Sequence, residues 1–299
     1  MSAFKNIAVA GAAGDLGSAV FKRLVDSNKF NLTVLTRADS KSTFPKGVKV
    51  VKVDYDSLDS LTAALQDQEA IVSTIGSLAT LSQSLLIDAA VAAGVKRFLP
   101  SEFGSNLVIP SVRKLPVFRT KVIIEDKLIA LANEGKISYT FIYNSIFLDW
   151  GLSHGFFFDF DKSEVTIWDD GNTEFSTTTL ASVGDGVVGV LTHPEETKDR
   201  IIYIQDTVLT QNKFLELAKQ VNPNKEWTVK HVKIDDVTAH SDANIAKGII
   251  DWPTLAPYLT RAIFDASSVP KFAKLDNELL GVKGLTDEQV KELLKTYLQ

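Results

Sequence analysis

Asn6-Ile7-Ala8-Val9-Ala10-Gly11-Ala12-Ala13-Gly14-Asp15-Leu16-Gly17 is the stretch that decides the fold. Its first five residues, mostly apolar, read as a buried strand. Three glycines follow at G-x-x-G-x-x-G spacing. From Leu16 to Asp26 the pattern turns helical, with Leu16, Val20, Leu24 and Val25 on one face. Glycines permit a tight turn and close backbone approach, and the N–H groups of the following helical turn face an anion. A glycine turn between a strand and a helix near the N-terminus therefore predicts a dinucleotide site at Gly11, Ala13, Gly14, Asp15, Leu16 and Gly17.

Outward from this turn, short apolar runs alternate with helical patterns. Strands are predicted over 32–36, 48–53, 70–74, 97–99 and 139–143, and helices over 57–65, 83–93 and 117–132. This alternation means right-handed crossovers and a parallel sheet covered on both faces. After about residue 150 the rhythm changes: aromatics cluster at Trp150, Phe156, Phe157, Phe158 and Phe160, a helix is predicted over 183–191 and a strand over 200–204, and the last third is mainly helical. Thr286 with Gln289 resembles a capping box. The expectation is an α/β fold: a Rossmann-type doubly wound parallel sheet over 1–150, rejoined by about 180–205, with a smaller α+β substrate domain over 151–299, the segments interleaved.

Composition narrows the function. The 299 residues include no cysteine, which excludes disulfides, thiolate metal sites and cysteine nucleophiles. A net charge of −5 without a long basic run disfavours nucleic-acid and anionic-membrane partners. The opening Met1-Ser2-Ala3-Phe4-Lys5-Asn6 lacks a signal-peptide pattern, and no apolar run is long enough for a span, so a cytoplasmic protein is expected. The four histidines form no H-x-x-x-H pair and no G-x-S-x-G elbow occurs, so neither a metal nor a serine hydrolase is expected. The helical tail supplies no clear self-complementary stripe, which suits a monomer or weak homodimer.

The second strand ends at Thr36-Arg37, about 20 residues past Gly17, where an acidic residue would select NAD. Arg37, with Lys41 and Lys46 downstream, suits a 2′-phosphate and favours NADP(H); the alternative is a solvated surface arginine. Thr74, Ile75 and Gly76 end the fourth strand and should border the ribose and nicotinamide, unless Gly76 is an ordinary turn glycine. None of the tyrosines has a lysine four residues on, which weakens an epimerase or ordinary short-chain dehydrogenase. The nearest substitute is Arg97-Phe98-Leu99-Pro100-Ser101-Glu102-Phe103-Gly104, followed by Phe118-Arg119-Thr120-Lys121. The first segment leaves the fifth strand at its carboxyl end, where open α/β sheets bind ligands.

On these residues the chain resembles the NmrA-like and isoflavone-reductase-like group of atypical short-chain dehydrogenases. The glycine turn, the 95–104 string V-K-R-F-L-P-S-E-F-G, Phe118-x-x-Lys121 and Asn144-Ser145-Ile146-Phe147 carry the resemblance. It covers the first 150 residues with specific motifs and about 50 more loosely, and it stops short of the final 80 or so. It implies NADPH-dependent reduction of a small aromatic or unsaturated molecule, with Lys121 as acid/base and Asn144 near the nucleotide. Desolvation in an apolar cleft disfavours a lysine's charged form, which suits such a role; the alternative is a solvated helix lysine. Phe103 and Phe147 flank the nicotinamide or substrate, or belong to the core. Glu102 is read as a partner of a basic side chain. Trp150, His154 and Phe157 wall a substrate pocket, or belong to the core or a dimer surface. The rival function is a redox sensor that binds NADP(H) and regulates a protein partner without turnover; such a sensor does not need Lys121.

Overall fold

The computed structural model describes residues 3–298; Met1-Ser2 of the opening stretch and Gln299 at the end of the second expected domain lie outside them. The strands in chain order are β1 (Asn6–Ala10), β2 (Asn31–Arg37), β3 (Lys49–Val53), β4 (Ala70–Ser73), β5 (Arg97–Leu99), β6 (Ser138–Tyr143), β7 (Ile146–Phe147), β8 (Glu164–Trp168), β9 (Phe175–Thr178), β10 (Arg200–Tyr203), β11 (Thr207–Leu209) and β12 (Thr228–Val232). Seven of them form one sheet in the order β10-β6-β5-β4-β1-β2-β3, and every pairing in it is parallel. Strand order reverses at β1, which pairs with β2 on one side and β4 on the other. The glycine turn leaves β1 at this switch point, where a doubly wound sheet opens a crevice at its carboxyl end.

Side chains alternate across the sheet, and the core is split accordingly. Ala8 and Ala10 of β1 join Leu35, Ile71, Phe98 and Phe141 on one face, under the helices Leu58–Ala64, Gln83–Ala92 and Arg119–Asn133. Ile7 and Val9 join Val34, Val72, Leu99 and Ile142 on the other, under the helices Asp15–Asp26 and Leu180–Thr192. All of these strand residues are at most 2% exposed. Burying one such Val, Leu or Ile side chain is worth about 1.5–3 kcal/mol, so a one-residue slip of β1 would be strongly resisted. The helix Leu180–Thr192 lies close on Asp15–Asp26: a Cβ at Gly184 would meet Arg23 Cγ at 2.7 Å.

Arg97 of β5 is a buried structural tie, 1% exposed. It donates to Ser138 Oγ at 2.6 Å, Thr140 Oγ1 at 2.9 Å, Thr197 Oγ1 at 3.3 Å and the Pro194 carbonyl at 2.8 Å. Burial pushes its pKa down to about 10, with Asp199 and Glu195 opposing the shift. This cluster joins β5 and β6 to the loop before β10.

The remainder is built from two small sheets, β11-β9-β7 and the parallel pair β12-β8. The helices Gln211–Val221, Ile234–Ala246, Trp252–Phe264 and Asp287–Lys295 complete it. Thr286 and Gln289 form the expected capping box on the last of these. Its core is aromatic: Phe157, Phe158, Phe175, Phe214 and Phe264 pack together within ring-to-ring contact. No helix among the described residues is long and apolar enough to cross a membrane.

Candidate functional site

The glycine turn is shaped by its neighbours. Gly11 has φ +82°, and a Cβ there would lie 2.7 Å from the Thr74 carbonyl. At Gly17 a Cβ would fall 2.0 Å from the Gly11 oxygen, so this position admits no side chain. Gly14 differs: a Cβ would meet protein at an ordinary 3.6 Å, and the residue is exposed. Sterics inside the protein therefore explain two of the three glycines, while at Gly14 they would admit a side chain. Thr74 fixes the floor, donating from N and Oγ1 to the Ala10 carbonyl at 2.9 and 3.0 Å.

A cleft of about 380 Å³ opens over this turn. Gly11–Gly14, Ile75 and Gly76 line one end; Arg37, Phe44 and Tyr55 line the other. Arg37 is exposed, with a loose 3.8 Å contact to Asp39, so its guanidinium is free to meet an anion. Burial pushes Tyr55 up to about 12, with Arg37 opposing the shift, and its hydroxyl donates to the Leu35 carbonyl at 3.4 Å. Lys41, expected among the phosphate ligands, is exposed and does not line the cleft; its neighbours Ser40 and Ser42 do. A larger hollow of about 510 Å³ lies at the amino ends of β1 and β2, lined by Asn6, Asn31 and Thr33 among others. It is the wrong end of the sheet for the glycine turn and for the ligand rule of this topology.

Lys121 lies in the first turn of the helix Arg119–Asn133, half-buried. Its Nζ donates to the Phe103 carbonyl at 3.2 Å, and a Cβ at Gly104 would sit 3.4 Å from it. The two expected segments thus meet at the carboxyl end of the sheet. The same helix packs against the 3-10 turn Ser77–Ser82, whose Ala79 and Ser82 line the cleft. Phe103 is 5% exposed and packs with Leu99 and Ile142, so its carbonyl is what it offers Lys121. Asn144 is fully buried, its Nδ2 on the Ser145 carbonyl and its Oδ1 without a hydrogen-bond partner among the described residues. Phe147 is half-buried at the edge of the same apolar cluster.

Beneath Lys121 lies a set of charges that the sequence did not disclose. Glu125, 2% exposed, accepts from Arg113 Nη1 at 2.6 Å and from the Tyr143 hydroxyl at 2.5 Å. Burial raises its pKa, against those two hydrogen bonds. Burial also raises Tyr143, helped by the adjacent Glu125 carboxyl. Glu102, 1% exposed, has no hydrogen-bond partner on either carboxyl oxygen among the described residues. Burial pushes it up to about 8; Lys121 pulls the value down and Glu125 pushes it up. Glu102 is thus near a basic group, as expected, but without a formed ion pair.

Trp150 and His154 stack at 4.3 Å and meet the glycine turn from the side. Trp150 Nε1 donates to the Asp15 carboxylate at 3.0 Å, and His154 Nε2 stands 3.8 Å from it. The carboxylate of Asp15 is therefore engaged by Trp150, leaving its backbone and that of Leu16 at the helix entrance. Phe157 does not wall a substrate pocket: at 4% exposure its ring lies against Gly151, Phe175 and Phe214 in the aromatic core, the alternative the sequence left open. Phe175 and Phe214, two aromatic neighbours from distant segments, turn the ring inward.

The comparisons agree with this architecture. The family model described as "NmrA-like family" matches residues 3–252. An oxidoreductase of Penicillium oxalicum is 32% identical over 292 residues, covering 93% of this chain and 90% of its own. An oxidoreductase of Aspergillus flavus is 32% identical over 295 residues, covering 97% and 98%. Among solved structures, AtPrR2 with NADP+ and (+)pinoresinol superposes with a TM-score of 0.80 at 22% identity, covering 99% of this chain and 100% of that one. With that family model matching residues 3–252 and these relatives 32% identical over nearly the whole length, the chain belongs to the NmrA-like family.

Proposed function

We propose that this protein is an NADPH-dependent reductase of the isoflavone-reductase-like type, acting on a small aromatic or unsaturated metabolite such as an enone, a benzylic ether or a quinone methide. The observation that carries this reading is Lys121: its Nζ donates to the Phe103 carbonyl at the carboxyl end of the sheet, on a helix packed against the Ser77–Ser82 turn that borders the cleft. A nucleotide-binding regulator has no use for an amine held there.

The residues present fit NADP(H). The Gly11–Gly17 turn and the first N–H groups of its helix take the diphosphate. Arg37 takes the 2′-phosphate, whose charge its planar fork matches. Thr74, Ile75 and Gly76 border the ribose, and Asn144 with its unpartnered Oδ1 and Phe147 flank the nicotinamide half. When bound, the reduced nucleotide supplies hydride. Lys121 holds a proton on Nζ and gives it to the substrate oxygen or carbon that gains negative charge, the Phe103 carbonyl fixing its direction. The buried side chains of Phe103, Leu99 and Ile142 keep water from the base of this site. Trp150 and His154 wall its side above Asp15.

The test is NADPH oxidation by wild type and Lys121→Ala across aromatic enones, benzylic ethers and quinones, with nucleotide affinity measured on both. Turnover that collapses in the variant while NADPH still binds supports the reading. Tight nucleotide binding, an affinity preference for NADP+ over NADPH and no turnover by either protein would replace it with a redox sensor that acts on a protein partner.

A further inference from the structure

Glu102 is a carboxyl group that the proposed chemistry does not use, and its surroundings are unusual. It is 1% exposed and lies next in sequence to Phe103, the residue whose carbonyl holds Lys121 Nζ at 3.2 Å. Neither of its oxygens has a hydrogen-bond partner among the described residues. Leaving a buried polar group unpaired costs stability, and a bare buried charge costs far more. Four titratable groups face it. Arg113, from the short helix Pro110–Arg113, has its guanidinium committed to Glu125 at 2.6 Å and Asp126 at 2.5 Å. Glu125, from the helix that carries Lys121, is held by that arginine and by the Tyr143 hydroxyl of β6. Lys121 is the fourth, and among the described residues it forms no ion pair.

A buried acid hydrogen-bonded to a guanidinium carries charge, whereas one without a hydrogen-bonded partner keeps its proton. Glu125 has the arginine, so Glu102 is the neutral one. A neutral carboxyl leaves the Lys121 ammonium on a carbonyl, a weak tether that permits the amine to serve a substrate. A carboxylate in the same place would attract that ammonium electrostatically.

We propose that Glu102 is a positioning residue for Lys121: as the neutral acid it leaves the ammonium on the Phe103 carbonyl for the substrate, and as the carboxylate it draws the ammonium into the interior. The proposal rests on the reductase reading of Lys121 given above. Burial raises this carboxyl well above the ordinary carboxylate range, which fits this arrangement. No net chemistry is involved beyond loss of one proton from the carboxyl to solvent.

Three readouts on the full chain test it, two of them independent of turnover. Infrared difference spectra between pH 6 and 10 should show the C=O band of a protonated carboxylic acid disappearing with a midpoint near pH 8, and E102Q should lack that component. In K121M the midpoint should move upward, because the cation that lowers it is gone. At pH 9 about one-tenth of Glu102 remains neutral on the value of about 8. Lys121 acylation, read by peptide mass spectrometry against the other lysines, should therefore be about tenfold faster in E102Q than in wild type at that pH. For any substrate found, the ratio of turnover at pH 9 to turnover at pH 7 should rise about tenfold in E102Q over wild type. An ionised Glu102 at pH 7, a carboxyl midpoint unmoved in K121M, or equal Lys121 acylation in wild type and E102Q would each overturn the proposal. Failure of every substrate in the panel would defeat the reductase reading instead, and leave the infrared and labelling results to decide the role of Glu102.

Discussion

Arg97 and Glu102 stand five residues apart in one string, and both are buried to 1% exposure. They solve charge burial in opposite ways. Arg97 is met by four donated hydrogen bonds to hydroxyls and carbonyls on β6 and the loop before β10. Glu102 is met by none, and Lys121 above it hangs from a single carbonyl. The first end of the string holds the sheet together; on the proposed reading, the second is left incomplete for a ligand, so stability and chemistry are divided within a few residues.

The contrast can be broken most sharply at Lys121. Lys121→Met should lower turnover by about 10²–10⁴-fold, the range for loss of a positioned acid, while NADPH affinity, read by fluorescence titration, changes less than about threefold. The opposite result is expected at Arg97. Arg97→Met removes the buried donor of the Pro194 carbonyl and of the Ser138, Thr140 and Thr197 hydroxyl oxygens, and should cost about 3 kcal/mol of folding stability in urea titration. Turnover per folded molecule should be nearly retained. If Arg97→Met instead abolished turnover in a fully folded sample, the two ends would not be separable.

Arg37→Ala sharpens the account at the far end of the cleft. Losing a charge-assisted contact of about 1.5–3 kcal/mol should cut the preference for NADPH over NADH by roughly 10–100-fold in paired titrations. A further effect is expected with pH. Glu102 keeps its proton in the folded chain up to about 8, against an ordinary 4.5, so between those values the unfolded chain binds fewer protons. Wild-type stability should therefore fall as pH rises from 5 to 8, and E102Q should flatten that slope in urea midpoints. Trp150→Phe, which removes one hydrogen bond to Asp15, should cost about 1 kcal/mol or less.

The legible part of the molecule was the part set by local pattern. The apolar run Ile7–Ala10 marked a buried strand, and the G-x-x-G-x-x-G spacing marked the turn whose Gly11 and Gly17 admit no side chain. The motif strings led to Phe103 and Lys121, which the fold brings together across 18 residues. Side-chain direction after residue 150 was not legible. Phe157 faces Phe175 and Phe214 because of segments that approach from elsewhere in the chain, and a run of phenylalanines looks the same whichever way its rings turn. The Trp150–Asp15 bond spans 135 residues, and Arg113 reaches Glu125 through an intervening turn, so neither leaves a local signal. A hydroxyl-rich β6, with Ser138 and Thr140 on an otherwise apolar strand, was the one trace of Arg97's buried partners.

The most direct test of the central claim is a single turnover with NADPH deuterated at the transferring position, run in ordinary water with wild type and K121M on a substrate from the panel. The account predicts one deuterium bonded to carbon in the wild-type product, the accompanying proton drawn from solvent, and labelled product forming about 10²–10⁴-fold more slowly in K121M despite bound nucleotide. Labelled product formed at the same rate in K121M, or a wild-type product without deuterium, would contradict it.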